Sequence, residues 1–297
     1  MQCRQCGGVT VYADDSTFTI SDKDPNILSD KLSRKFEVMA DFLTANKLKV
    51  NSDKTHLVVM CTDQRRRNIL TNVRITTTNE IIEASEAERL LGAYIHQNMK
   101  WTEHIQTNEN SLLYGLNQRL GALKRISRYA SFKARLTIAN GIFMSKLGFM
   151  IPLWSGCQEY LIRALQTIQN KAARVVTKHD RRVPVKQILK ECGWRSVKQE
   201  MFFQTVMQVH KVLMQTNPVY LYRKLIADGS YSYRTRSSST SSIRQSISFK
   251  TGLTLCKESF RWRGVTCYEE LPWEVRKCEK ISSFKQKADT WIRENVR

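Results

Sequence analysis

Val9-Thr10-Val11-Tyr12-Ala13-Asp14-Asp15-Ser16-Thr17-Phe18-Thr19-Ile20 is the stretch on which the reading of this 297-residue chain turns. Its flanks are β-branched or aromatic and contain no Pro or Gly, so both arms read as strands joined by a tight acidic connection. Asp14 and Asp15 are adjacent carboxylates on a rigid hairpin. Hard cations such as Mg²⁺ take oxygen donors of this kind while keeping water and substrate phosphate in their shell. Phosphoryl transfer by two ions about 4 Å apart needs such an arrangement. Asp pairs are also common in turns for backbone reasons alone, and the hairpin by itself is compatible with both readings.

Downstream, Asp24-Pro25 is a helix start, with the Asp as cap and Pro where its missing N–H does no harm. Leu28, Leu32, Phe36, Met39 and Leu43 recur at helical spacing and predict one buried face ending near Asn46. An extended piece from Leu48 to Thr55 leads into the apolar run Leu57-Val58-Val59-Met60, which reads as a strand. After the basic loop Arg65-Arg66-Arg67, Val73-Arg74-Ile75 and Ile81-Ile82 predict a second hairpin, followed by Glu88 to Ile95. The predicted order is hairpin, helix, strand, hairpin.

With these blocks in this order, the chain resembles the back half of a reverse transcriptase from a non-LTR (LINE-like) retrotransposon. Tyr12-Ala13-Asp14-Asp15 matches the palm hairpin with two catalytic aspartates. Asn46 to Asn51 with Lys54-Thr55 matches the stretch after the palm helix, and Leu91-Gly92 with Ile95 and Trp101 matches the primer-grip hairpin. More loosely, Leu271-Pro272, Val275-Arg276 and Phe284-Lys285 resemble the tail of such elements. The resemblance implies an RNA-directed DNA polymerase, a nucleotidyltransferase using Mg²⁺ on an RNA template and a DNA primer. Asp14 would ligate both catalytic metals, Asp15 would be a weaker partner, and Tyr12 would lie beside the incoming nucleotide or primer end. Lys54 would approach the pyrophosphate leaving group, where a cation offsets developing charge; a solvated loop lysine is the other reading. Leu91 and Gly92 would hold the primer 3′ end, with Gly92 permitting close approach of another backbone.

The chain also departs from that pattern. The family's palm carries a third metal-binding Asp upstream of the hairpin and fingers that contact the triphosphate, whereas Met1 stands eleven residues before Tyr12. Two of three carboxylates should hold a close cation pair poorly. The expectation is therefore a fragment without useful polymerase activity.

Charge gives an independent pointer. Residues 1–97 contain 13 Lys and Arg against 13 Asp and Glu, and residues 98–297 contain 35 against 14, so the net charge of +21 lies wholly in the later part. Such an excess attracts polyanions and gains affinity by releasing their counterions. A membrane surface is the competing polyanion, ranked lower because no lipidation signal or long apolar span accompanies the charge.

The excess is local. In a predicted helix from about Gln158 to Lys178, Leu161, Leu165, Ile168, Ala172 and Val175 form one face, with Arg163, Lys171, Arg174 and Lys178 opposite. At about 100° per residue these four cations fall within an arc of roughly 80°. Arg119, Lys124, Arg125, Arg128, Lys133 and Arg135 bracket a helix-to-helix turn with no acid nearby and are expected to contact nucleic acid. By position these helices resemble the family's thumb. Trp101 to about Ile126 would be its first helix, with Ile105, Leu112, Leu116, Leu120 and Leu123 inward, and Phe132 to Leu147 its second.

Beyond Val183, helices are predicted over 184–192, 197–214 and 218–226, with a Ser-rich linker or protease-sensitive loop over 234–242. A closing helix over 282–295 would be capped by Ser282 or Ser283. Eight cysteines with no apolar leader after Met1 suggest a reducing, intracellular setting. Cys3 and Cys6 are half of a zinc knuckle without a second pair at knuckle spacing. The five histidines are scattered, and no nucleophilic triad or glycine-rich phosphate loop is visible.

The reading is an α+β chain: a partial palm over 1–98, with an edge and apolar face that favour aggregation, a helical thumb over 99–180 and a basic, mostly helical region over 181–297. The alternative is a non-enzymatic basic RNA- or DNA-binding remnant in which the acidic hairpin is idle.

Overall fold

The computed structural model describes residues 8–13, 15–61, 73–76, 81–215, 217–226 and 258–296. Asp14, Arg65 to Arg67, the Ser-rich stretch over 234–242, and Cys3 and Cys6 lie outside the described residues. The architecture is α+β, in two compact units, Met1–Glu103 and His104–Arg297.

The first unit opens with β1 (Val9–Tyr12) and β2 (Asp15–Phe18), an antiparallel pair in the expected place, with Tyr12 opposite Asp15. Ala13, in the connection, has φ of 52°. The pair forms a sheet of its own. Helix α1 (Pro25–Ala45) begins as the sequence predicts: the Asp24 carboxylate accepts from the Asn26 and Ile27 N–H groups, and Pro25 opens the first turn. No residue of α1 is fully buried, which corrects the expected buried face. Leu28, Leu32 and Phe36 are half-buried against Leu57, Val59, Val73, Ile75 and Ile82, because the sheet beneath them is small.

That sheet holds β3 (Leu57–Val58), β4 (Arg74–Thr76) and β5 (Ile81–Ser85) in the order β3-β5-β4. Strand β3 is two residues rather than the predicted four, and it runs parallel to β5, so the sheet is mixed and not built from antiparallel hairpins alone. The edge of β4 is covered by α1, whose Ser29 and Ser33 hydroxyls accept from the Arg74 N–H at 3.2 Å and the Thr76 N–H at 3.0 Å. A separate hairpin, β6 (Ala87–Leu90) and β7 (Ala93–His96), turns at Leu91 and Gly92.

The second unit is helical. A π-helical turn, Glu103–Thr107, precedes α2 (Leu112–Ser127), so the predicted single helix from Trp101 is interrupted. Ser111 restarts the chain as the α2 cap by accepting from the Tyr114 N–H, and the Asn108 side chain accepts from the Asn110 N–H in the gap. Leu112, Leu116, Leu120 and Leu123 all point inward, as does Ile105. Helix α3 (Phe132–Ala139) runs through a π segment, Asn140–Met144, into the short α4 (Ser145–Leu147). After α5 (Ile151–Trp154) comes α6 (Glu159–Thr177), which packs on α2 and buries Leu161, Leu165, Ile168 and Ala172. Its fully buried C-terminal residue is Val176, and Val175 is half-buried, a shift of one place around the helix.

Helices α7 (Val185–Glu191), α8 (Val197–Gln215) and α9 (Val219–Ile226) follow close to their predicted bounds. Helix α8 packs against α5 and α6 as well as α10 (Phe260–Glu270) and α12 (Ile281–Asn295), so the expected thumb and C-terminal segments share one compact unit. A short α11 (Trp273–Arg276) joins α10 to α12. At Gly264 the α10 backbone lies against the Val209 side chain of α8, where an added Cβ would be 2.9 Å from Val209 Cγ2. Helix α12 starts at Ile281 with Lys280 as its extended cap and no side-chain hydrogen bond there, which displaces the predicted caps Ser282 and Ser283 into its first turn. Among the described residues, no helix is long and apolar enough to cross a membrane.

Candidate nucleic-acid interface

The sequence offered two candidate sites, an acidic hairpin and a cationic helical surface, and they are unequally developed. At the hairpin, Tyr12 is 67% exposed and cross-strand from Asp15, which is also exposed. Lys54 lies in a 3₁₀ turn, Ser52–Lys54, and is exposed; among the described residues no ion pair joins it to Asp15. Among the described residues, no group of three or more His, Cys, Asp or Glu side chains is placed to hold a metal ion. One described carboxylate is too small a donor set for a close pair of divalent cations, which need several oxygen ligands and compensating charge.

Leu91 and Gly92 have φ of 49° and 90°, the pattern of a two-residue hairpin turn with both central residues left-handed. Gly92 is thus a turn glycine. Its freedom is used by the turn itself. Leu91 is 41% exposed and bears the same left-handed geometry with a branched side chain.

The cationic surface is sorted sharply by burial. Around the connection between α2 and α3, Lys124, Arg125, Arg128 and Lys133 are exposed, and among the described residues none of their side chains is in an ion pair or hydrogen bond. From Asn110 to Gln158 the sequence holds no Asp or Glu. Arg119 is half-buried and donates to the Gly115 carbonyl at 3.1 Å, folded along its own helix.

Arg135 does not belong to the surface. It is 6% exposed, and its Nε donates to the Val176 carbonyl at 2.7 Å while a terminal nitrogen donates to the Ala130 carbonyl at 2.6 Å. Val176 is in the last turn of α6, where carbonyls have no partner within the helix and a cation meets the negative end of the dipole. Arg135 therefore pins the end of α6 to the turn between α2 and α3. The spacing that makes Arg135 resemble its neighbours in sequence says nothing of which way its side chain points.

On α6 the same sorting recurs. Arg163 is exposed with a long 3.8 Å contact to Glu159, and Lys171 is exposed. Lys178 is exposed and closes the helix in the left-handed conformation, φ 61°. Arg174 is instead half-buried and reaches over the following loop towards the Arg181 and Val183 carbonyls, both at 3.4 Å, with Nη1 buried. The exposed cations that remain of the candidate surface are Lys124, Arg125, Arg128 and Lys133 with Arg163, Lys171 and Lys178.

Sequence reasoning missed a polar cluster in the same unit. Arg195 lies 3.6 Å from the Phe203 ring centroid and donates to Glu200 and Asp289, each at 2.6 Å. Burial works against ionisation of Asp289, yet hydrogen bonds from Arg195 and Arg293 hold its carboxyl below the usual range. A pocket of about 370 Å³ beside it is lined by Asn140, Ser145, Trp194, Arg195, Glu200 and Gln204. Two arginines and two carboxylates balance there, so the pocket lacks the excess charge that would draw a phosphate. The joined elements are far apart in sequence, which is why no local motif announced the cluster.

No model of a known protein family matches the chain, and no curated protein or solved structure does.

Proposed function

We propose that this chain is part of an RNA-directed DNA polymerase of the non-LTR retrotransposon kind, and that its helical unit holds the template and primer duplex. The observation that carries the proposal is the set of exposed, unpaired cations on one unit: Lys124, Arg125, Arg128 and Lys133 at the turn, with Lys171 and Lys178 on α6. A plain solvated helix surface normally mixes acidic residues with basic ones. Here the mixture is missing over a long stretch, and phosphate is the ligand that such a surface gains most by meeting.

The ordered motifs support the polymerase part of the proposal. Tyr12 and Asp15 face each other across the first hairpin connection and Leu91 and Gly92 form a second one, in the order that the resemblance requires. We assign Mg²⁺ to Asp14 and Asp15, which suffice for it only together with a further carboxylate. Lys54 is available to an anionic leaving group by its exposure.

A second reading, a non-catalytic RNA- or DNA-binding protein, is favoured by one observation: among the described residues β1 and β2 pair only with each other. Primer extension by the purified chain on a primed RNA template with Mg²⁺ and deoxynucleotides, run beside binding to the same duplex across salt concentrations, separates the two. Extension abolished by Asp14→Asn establishes the polymerase. Salt-sensitive binding without extension is the result expected of a polymerase part that keeps its grip without its chemistry; a preference for the RNA–DNA primer–template over a plain DNA duplex then favours that reading, and equal binding favours the binding protein. Absence of binding contradicts both.

A further inference from the structure

The connection between α2 and α3 presents more than charge. Tyr129 stands at its apex with 92% of its surface exposed, flanked by Ile126 at 41% and Phe132 at 38%. The turn is well defined: the Tyr129 N–H donates to the Ile126 carbonyl at 3.1 Å, and the Ser131 hydroxyl caps α3 by accepting from the Ala134 N–H at 3.3 Å. Arg135 anchors it from beneath through the Ala130 and Val176 carbonyls. A rigid turn thus holds an aromatic ring in water, where the fold gains almost nothing from it. Lys124, Arg125, Arg128 and Lys133, all exposed, lie within five residues of Tyr129 along the chain.

An exposed ring set among cations fits a base with a free π-face and phosphates on either side. In a duplex both faces of each base are covered, and the ring would have to open a base step at a cost of a few kcal/mol. An unpaired strand offers the face without that cost. An anionic lipid surface matches the charge and the exposed Ile126 and Phe132 as well, and vesicle binding is therefore an arm of the test.

We infer that the α2–α3 turn is a contact site for single-stranded nucleic acid, with Tyr129 stacked on an unpaired base and Lys124, Arg125, Arg128 and Lys133 on the flanking phosphates. The inference rests on the nucleic-acid reading proposed above: the cations of the turn meet the phosphates of duplex and strand alike, and Tyr129 adds a contact that only an unpaired strand can use.

The test is fluorescence anisotropy with the full chain, using labelled oligo(dT) or oligo(U) and a blunt duplex of the same length. Tyr129→Ala should weaken strand binding about tenfold while Tyr129→Phe keeps it, because a phenyl ring stacks as well. Duplex affinity and the salt dependence of both should be unchanged, since no charge is removed. Because the ring is exposed, the variants fold as the parent does, which circular dichroism checks. Equal losses on strand and duplex, or no loss on the strand, overturn the inference. Duplex binding that persists beside an indifferent Tyr129→Ala sinks only this inference, whereas a parent chain that binds neither ligand sinks the nucleic-acid reading beneath it. Tighter binding to phosphatidylserine vesicles than to the strand, lost in Tyr129→Ala, also overturns it.

Discussion

Arg135 and Arg128 are seven places apart in a run of similar cations, yet one is buried under two carbonyls and the other is solvated. Sequence gives the density of charge at such positions and not its direction. Replacing Arg135 by Ala strips the Val176 and Ala130 carbonyls of their partner, and should lower stability by about 2–4 kcal/mol in denaturant unfolding. The same substitution at Arg128 should change stability by less than about 0.5 kcal/mol. Glycine positions separate in a similar way. At Gly156 an added Cβ would lie 2.0 Å from the Glu258 carbonyl oxygen, so Gly156→Ala forces two backbones apart and destabilises, whereas Gly121→Ala, inside α2 and in open space, should stabilise by about 0.5–1 kcal/mol. His210 is fully buried, stacked 3.7 Å from Phe284, with Nδ1 3.0 Å from the Tyr268 hydroxyl. Burial pushes its pKa down from 6.5 to about 4. Between those values the unfolded chain binds the proton and the folded chain resists it, so the contribution is intact above pH 6.5 and lost as pH falls towards 4. The loss should reach ~3 kcal/mol in chemical unfolding across that window, and His210→Phe should flatten it.

Elements were read best where a single period persists. The faces of α2 and α6 followed from leucine and isoleucine spacing, and the acidic hairpin from its β-branched arms. What failed were interruptions and caps. The break before α2 depends on the Ser111 and Asn108 side chains, and the α12 start lacks a side-chain cap, so propensity alone placed both wrongly. The mixed sheet was hidden for another reason: β3 is two residues long and pairs in parallel with β5 across a long connection. Its edge strand β4 is held by the Ser29 and Ser33 hydroxyls one helical turn apart. Substituting both by Ala should speed hydrogen exchange at the Arg74 and Thr76 amides by about tenfold or more, since each bond is worth about 1 kcal/mol. Unchanged exchange would mean that water serves those amides equally well.

Across the whole molecule, charge divides along the boundary between the units. Residues 1–103 hold 14 Lys and Arg against 14 Asp and Glu, and residues 104–297 hold 34 against 13. This division was legible in sequence. Which cations face solvent was not, because that depends on how α2, α3 and α6 meet around Arg135. The central claim is that position, and not net charge, makes the interface. Its most direct test is the dependence of duplex affinity on salt for two variants of the full chain, each lacking four exposed cations. One carries Ala at Lys124, Arg125, Arg128 and Lys133; the other carries Ala at Lys277, Lys280, Lys285 and Lys287, which lie among Glu274, Glu279 and Asp289. The first should lower the slope of log affinity against log salt by roughly three to four, near one for each phosphate that no longer meets a cation, and the second should leave it close to that of the parent. Equal slopes in the two variants would contradict the claim.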